Sequence, residues 1–209
     1  YNQDGTWSDM SISGAGTIMG VTHADGMYVA VGDGGKVYTR GDGDTSWTPH
    51  DLGATSALED VAYADGRFTA VGDHGRILTS DDGVNWTQVP ALDGNNYYEA
   101  VAGGGGIIVA VSDNGRITTC DANGVWTTQT PEGVNYFNDV IYVEGVGFAA
   151  VGFDTDWKGG IYISPDGINW IPQSVPDGAG GVYGITYDYV NGKFVAVDTN
   201  GNVLEGTPE

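Results

Sequence analysis

The sequence predicts an all-β fold built from repeated antiparallel sheets, and three observations carry that expectation. A unit of about 40 residues recurs five times along the 209-residue chain. Each copy is rich in Val, Ile, Thr, Tyr, Phe and Trp, while Leu occurs only five times, a sheet-forming composition. The short apolar runs are separated by Asp-Gly and Asn-Gly pairs, the strongest short-range signal for a hairpin. No stretch keeps the helical period for more than about two turns, so no α-helix is expected.

The repeat can be followed through two residue types. Val31, Val71, Val111 and Val151 stand 40 residues apart, and Val197 follows after 46. Trp7, Trp47, Trp86, Trp126 and Trp170 recur at 40, 39, 40 and 44. The surplus lies in two insertions, FDTDWKGG in the fourth copy and YDYVNG in the fifth. Within the second copy, strand A contains Val61-Ala62-Tyr63 and ends at the Asp65-Gly66 turn. Strand B is Arg67 to Gly72, strand C is Arg76 to Ser80, and strand D lies around Trp86-Thr87. Four antiparallel strands in about 40 residues make one blade of a β-propeller.

The fold class expected is therefore a five-bladed β-propeller, one domain over 1–209. Its blades fall at about 20–52, 60–90, 100–131, 139–176, and 184–207 plus 1–12. The last copy lacks its D strand, and Gln3-Asp4-Gly5-Thr6-Trp7 carries that pattern. The N-terminal strand is therefore expected to complete the C-terminal blade and close the ring.

Composition narrows the function. With 28 acidic and 7 basic residues the net charge is -21, a field that repels phosphate backbones and anionic membranes. Neither nucleic-acid binding nor membrane insertion is expected. One cysteine, Cys120, allows no internal disulfide. The opening YNQDGTW has no leader pattern, so export would rest on a removed leader or on assembly into a virus particle.

The C–D turns read SDDGVNW (Ser80 to Trp86) and SPDGINW (Ser164 to Trp170), with looser forms at Gly41 to Trp47 and Asp121 to Trp126. They resemble the Asp-box, or bacterial neuraminidase repeat, of sialidase-like propellers. The resemblance implies that Asp82 and Asp166 cap their own turn amides, that the tryptophans pack between blades, and that these turns lie opposite any active face. Sialidase chemistry is not expected, since it needs an arginine triad and this chain has only Arg40, Arg67, Arg76 and Arg116. Arg76 and Arg116 share the repeat position of Lys36.

Candidate ligand residues lie on the face shared by the B–C turns and the D–A linkers. The turns carry Asp33, Asp73, Asp113, Asp154 with Asp156, and Asp198; the linkers carry Tyr97, Tyr98, Glu99, Tyr136, Phe137, Asn138 and Tyr183. An aromatic ring beside a carboxylate or amide suits a sugar, the ring stacking on its apolar face and the polar group taking its hydroxyls. Phe153 to Gly160, with Trp157 at its centre, is the expected contact loop, because insertions in repeat folds mark the face that meets a partner. No cofactor is expected. Alternating aspartates at 42 and 44 and at 154 and 156 suggest Ca²⁺, but no EF-hand spacing accompanies them.

The function expected is a non-enzymatic, lectin-like adhesion or scaffolding module, secreted or on a virion surface. Its partner would be a glycan, a protein, or a second copy. The alternative is a five-bladed glycoside hydrolase using Glu59, Asp60, Glu99 and Asp139 at the channel mouth. Asp60 and Asp139 share one repeat position, which points to a structural role instead.

Overall fold

The computed structural model describes residues 8–53, 55–90, 92 and 96–208. Among them, 19 strands form five antiparallel sheets, four of four strands and one of three. The first sheet is β1 (Ile18–Ala24), β2 (Met27–Gly32), β3 (Lys36–Gly41) and β4 (Thr48–Asp51). The second is β5 (Leu58–Ala64), β6 (Arg67–Gly72), β7 (Arg76–Ser80) and β8 (Thr87–Gln88). The third is β9 (Tyr98–Gly104), β10 (Ile107–Ser112), β11 (Ile117–Cys120) and β12 (Trp126–Gln129). The fourth is β13 (Val134–Val143), β14 (Gly147–Asp154), β15 (Gly159–Ser164) and β16 (Ile171–Pro172). The fifth is β17 (Val182–Asp188), β18 (Lys193–Asp198) and β19 (Val203–Gly206). The bounds of β6 and β7 are those the repeat predicts. Among the described residues no helix is long and apolar enough to cross a membrane.

The second strands of the three interior sheets, β6, β10 and β14, are apolar on both faces, because each of these sheets is sandwiched between two others. In β6, Ala70 points at the preceding sheet and Val71 at the following one; Ala110 with Val111, and Ala150 with Val151, repeat that division. The core is accordingly four separate clusters, one in each seam between consecutive sheets. Val31 and Val37 meet Val61 and Phe68 in the first seam, and Val151 meets Ile185 and Phe194 in the last. The innermost strands β1, β5, β9, β13 and β17 pack against one another in that order.

Polar clasps join the innermost strands. Asp60 accepts hydrogen bonds from its neighbour Val61 N–H at 2.8 Å and from Val101 N–H in the next sheet at 2.9 Å. Asp139 does the same for Val140 N–H and, across the seam, Ile185 N–H at 3.0 Å. Two of the four acids weighed as catalytic at the channel mouth are thus half-buried braces that hold backbone amides of two sheets. Arg76 and Arg116 also serve the frame: Arg76 donates to Ser56 O and Arg116 to Asn96 Oδ1, each tying down the linker that enters its sheet.

The described residues do not close the ring. Val21 is 60% exposed, whereas its repeat equivalents Val61, Val101, Val140 and Ile185 are buried. Val197 is 48% exposed, whereas Val31, Val71, Val111 and Val151 are fully buried. Ala30 and Tyr38 are covered, so the first sheet's opening runs along its innermost strand. The expected closing strand, Gln3 to Trp7, lies outside the described residues.

Removing the Asp60 brace tests this frame. Asp60→Ala leaves two buried amides unpaired and is expected to lower stability by about 1–3 kcal/mol, read by thermal or urea unfolding.

Candidate functional site

The turns at the two ends of each sheet divide the work. At the C–D end, Asp82 Oδ1 accepts from the amides of Val84 and Asn85 and from Ser80 Oγ, while Oδ2 takes Asn85 Nδ2. Asp166 holds Ile168, Asn169 and Ser164 in the same pattern. The indole N–H groups of Trp86 and Trp170 donate to Gly83 O and Gly167 O, and both rings join seam clusters. This end is committed to structure.

The B–C end is different, because here aromatic side chains remain exposed. Phe153 stands at the centre, 6.0 Å from the ring of Tyr136, 5.8 Å from Trp157 and 6.0 Å from Tyr183, each in edge contact. A Cβ on Gly181 would lie 1.8 Å from Phe153 Cε1, so the absence of a side chain there makes the seat for the ring. Trp157 is 66% and Tyr183 59% exposed. Tyr136 is half-buried and donates to Glu99 Oε1 at 2.8 Å, which joins the linkers of the third and fourth sheets. Asn138 Nδ2 donates to Val182 O, joining the fourth to the fifth. Tyr97, exposed, packs on His74 at 5.3 Å.

The turn that carries Trp157 explains its exposure. Asp154 Oδ1 accepts from the amides of Asp156 and Lys158, and Trp157 N–H donates to Asp154 O. The fifth sheet builds the same turn from Asp198, which caps Asn200 and Asn202, with Gly201 N–H donating to Asp198 O. Trp157 therefore sits where the fifth sheet has glycine. Gly201 has φ 79° and Trp157 has φ 61°, both left-handed. Such a conformation costs a bulky residue about 1–2 kcal/mol.

Five carboxylates, Asp33, Glu59, Asp73, Glu99 and Asp113, influence one another across the B–C face, and Glu99 joins them to the aromatic cluster through Tyr136. Burial raises the Glu59 carboxyl above its ordinary value, with Asp73, Glu99 and Asp33 adding to the shift. Glu99 is raised first by burial and then by Asp113 and Asp73, although the Tyr136 hydroxyl opposes this. Burial, followed by the bond to Glu99, pushes the Tyr136 phenol up.

Some expected site residues serve other ends. Tyr98 is buried, its hydroxyl 2.8 Å from Thr118 Oγ1, because the strand pleat turns it into the seam while Tyr97 faces out. Phe137 is likewise buried. The Asp154 carboxylate is spent on its own turn, and Asp156 is exposed beside Lys158 at 3.9 Å. Among the described residues no cluster of three or more His, Cys, Asp or Glu could hold a metal ion. In the other aspartate pair, Asp42 bonds His23 and Asp44 accepts the Gly41 amide. Gly181 escaped the sequence reading, as did the central place of Phe153 within its loop and the contact of His74 with Tyr97.

The family model described as the DUF6242 beta propeller domain matches residues 3–138. Three solved structures share the fold. One is the computationally designed protein Ika8, with 13% identity and a TM-score of 0.71 over 95% of this chain and 62% of that one. Another is catalytically inactive H270A virginiamycin B lyase from Staphylococcus aureus with quinupristin, at 14% and 0.70, over 91% of this chain and 69% of that one. The third is YCF48 bound to D1 peptide, at 17% and 0.71, over 95% of this chain and 68% of that one. The chain thus spans less than two thirds of Ika8 and little more of the other two. No curated protein matches it.

Two outcomes test this geometry. Gly181→Ala is expected to expel Phe153 from its seat, lower the melting temperature and change the near-UV circular dichroism of the aromatic cluster. The pH profile has two signs. Glu59, Asp60, Glu99 and Asp139 are raised by burial, so the folded state takes up their protons first, and stability should rise as pH falls through their folded values toward the ordinary carboxylate range. Burial also pushes Asp166 up, but its hydrogen bonds outweigh this and bring it from 3.8 to about 2. Asp82 is lowered by its bonds from Asn85 and Val84. These contributions are present above the unfolded value of 3.8 and are lost as pH falls through the folded ones, so stability should drop in strong acid.

Proposed function

The chain belongs to the DUF6242 β-propeller domain family, and from that premise we propose that it is a non-enzymatic binding module for a basic peptide segment of a protein partner. The fold leaves function open, so the reading rests on the site. The observation that carries it is Trp157, a large aromatic kept exposed in a backbone conformation that suits glycine, at the position where the fifth sheet uses Gly201. Strain of this kind collects where a side chain is needed for contact.

The chemistry of the surroundings selects the partner. Exposed rings of Trp157, Tyr183 and Tyr97 stand on the face that also carries Asp33, Glu59, Asp73, Glu99 and Asp113. An arginine or lysine side chain gains from both, by cation–π contact and by charge pairing. The net charge of -21 draws such a segment in from a distance. YCF48 is bound to D1 peptide in a propeller of related fold, which is in keeping with a peptide ligand. Against hydrolysis stand the bracing roles of Asp60 and Asp139. The C–D turns support an Asp-box ancestry, and the heavy acidity suits a secreted or virion-borne protein.

Trp157→Gly separates contact from folding. The variant is expected to melt at the same temperature or higher, since strain is relieved, and to bind Arg-containing peptides at least ~10-fold more weakly by fluorescence anisotropy. Equal binding by the variant, or selective binding to a glycan array in place of the peptides, would overturn the reading.

A further inference from the structure

We infer that a cavity at the B–C end of the third seam seats one guanidinium group, an arginine side chain of the basic segment proposed above. The inference rests on that reading for the source of the group, and on the cavity for its chemistry. The cavity holds about 450 Å³, ample for such a side chain, between the linker that enters the fourth sheet and the outer edge of that sheet. Glu132, Asp154, Tyr162, Trp170 and Gln173 line it, and none of its lining residues is basic. Asp154 and Gly160 on its wall belong to the insertion that carries Trp157, so the cavity and the exposed ring flank one loop.

The Tyr162 phenol marks this cavity as a binding site. The residue is 2% exposed, yet among the described residues its hydroxyl meets no hydrogen-bond partner. The third sheet shows what is missing. There the Tyr98 hydroxyl lies 2.8 Å from Thr118 Oγ1, which lies 3.0 Å from Thr128 Oγ1. In the fourth sheet Phe137, Tyr162 and Pro172 hold those three positions, and neither Phe137 nor Pro172 has a polar side-chain atom. The phenol points past the packed rings to the cavity instead. Its oxygen would stand 3.9 Å from a Cβ on Gly133, and a Cβ on Gly160 would lie 3.0 Å from its ring; both glycines line the cavity. A buried hydroxyl without a partner is unfavourable, and a ligand that donates to it removes that penalty.

The walls offer acceptors and lack donors. Asp154 gives Oδ1 to two amides of its own turn, while among the described residues Oδ2 accepts no hydrogen bond. Glu132 is exposed and enters no ion pair among the described residues. Gln173 commits Nε2 to Ile171 O at 3.1 Å, which leaves Oε1. Burial first, then the Asp154 charge, raises the Tyr162 phenol, so it stays neutral and keeps its oxygen for a donor. This set repels anions and suits a neutral sugar poorly, since every sugar hydroxyl brings lone pairs of its own. A guanidinium has five donors, no acceptor and the complementary charge, and it stacks on an aromatic face such as that of Trp170.

NMR titration of the isotope-labelled chain with N-acetyl-arginine amide tests this. The amides of Gly133, Gly159 and Gly160 should shift together and saturate, and the uncharged isostere N-acetyl-citrulline amide should bind at least ~10-fold more weakly. Tyr162→Phe keeps the ring and removes only the hydroxyl, so it should melt no lower than the native chain and bind at least ~5-fold more weakly. Glu132→Gln, at an exposed position, should weaken binding at least ~3-fold. Because the probe is a single residue, Trp157→Gly should leave these shifts unchanged, so the cavity and the peptide reading can fail separately. No saturable shift of these amides, equal binding of the citrulline derivative, unchanged binding by either cavity variant, or the same shifts with a methyl glycoside in place of the arginine derivative would overturn the inference.

Discussion

A sheet in this protein cannot bury its own faces, and the rest of the structure follows from that constraint. Each sheet has two apolar sides, and only a neighbouring sheet can cover them. The valine–alanine division along the second strands, the seam clusters and the indoles from the outer turns all serve the same packing. Among the described residues the terminal sheets have one neighbour each, which is why Val21 and Val197 differ from their equivalents in the other sheets. Stability here should behave as a sum over seams, with the interior sheets held on both sides.

Acidic residues fill three distinct roles. Asp82 and Asp166 organise their own turns, where the charge gains several hydrogen bonds. Asp60 and Asp139 bridge neighbouring inner strands, where partial burial raises the carboxyl. The remainder line the B–C face or the surface and set the field around the molecule.

The repeat made most of the fold legible. Strand bounds in the second copy, the turn-capping aspartates and the place of the tryptophans all follow from spacing, since each blade must reproduce the same seam. The site was legible only in part. Tyr97 and Tyr98 look alike in sequence, and only the register that aligns Tyr98 with Leu58 and Phe137 assigns it to the seam. The central place of Phe153 was hidden because it stands next to the end of a strand, at a position where the second copy carries Asp73 in the turn. Trp157 looked unique until the Asp198 turn gave it a counterpart in Gly201, a likeness of hydrogen bonding rather than of residue type. Glu99 owes its place to Tyr136, from the next linker, a contact that no local pattern encodes.

Hydrogen exchange on the chain at a concentration where it sediments as a single molecule is the most direct test of the seam account. Amides of β6, β10 and β14, in sheets covered on both sides, should exchange most slowly. Those of β1, β18 and β19 should exchange fastest, each belonging to a sheet with an open side. Uniform protection across all five sheets, or stronger protection of the terminal sheets than of the interior ones, would contradict the account.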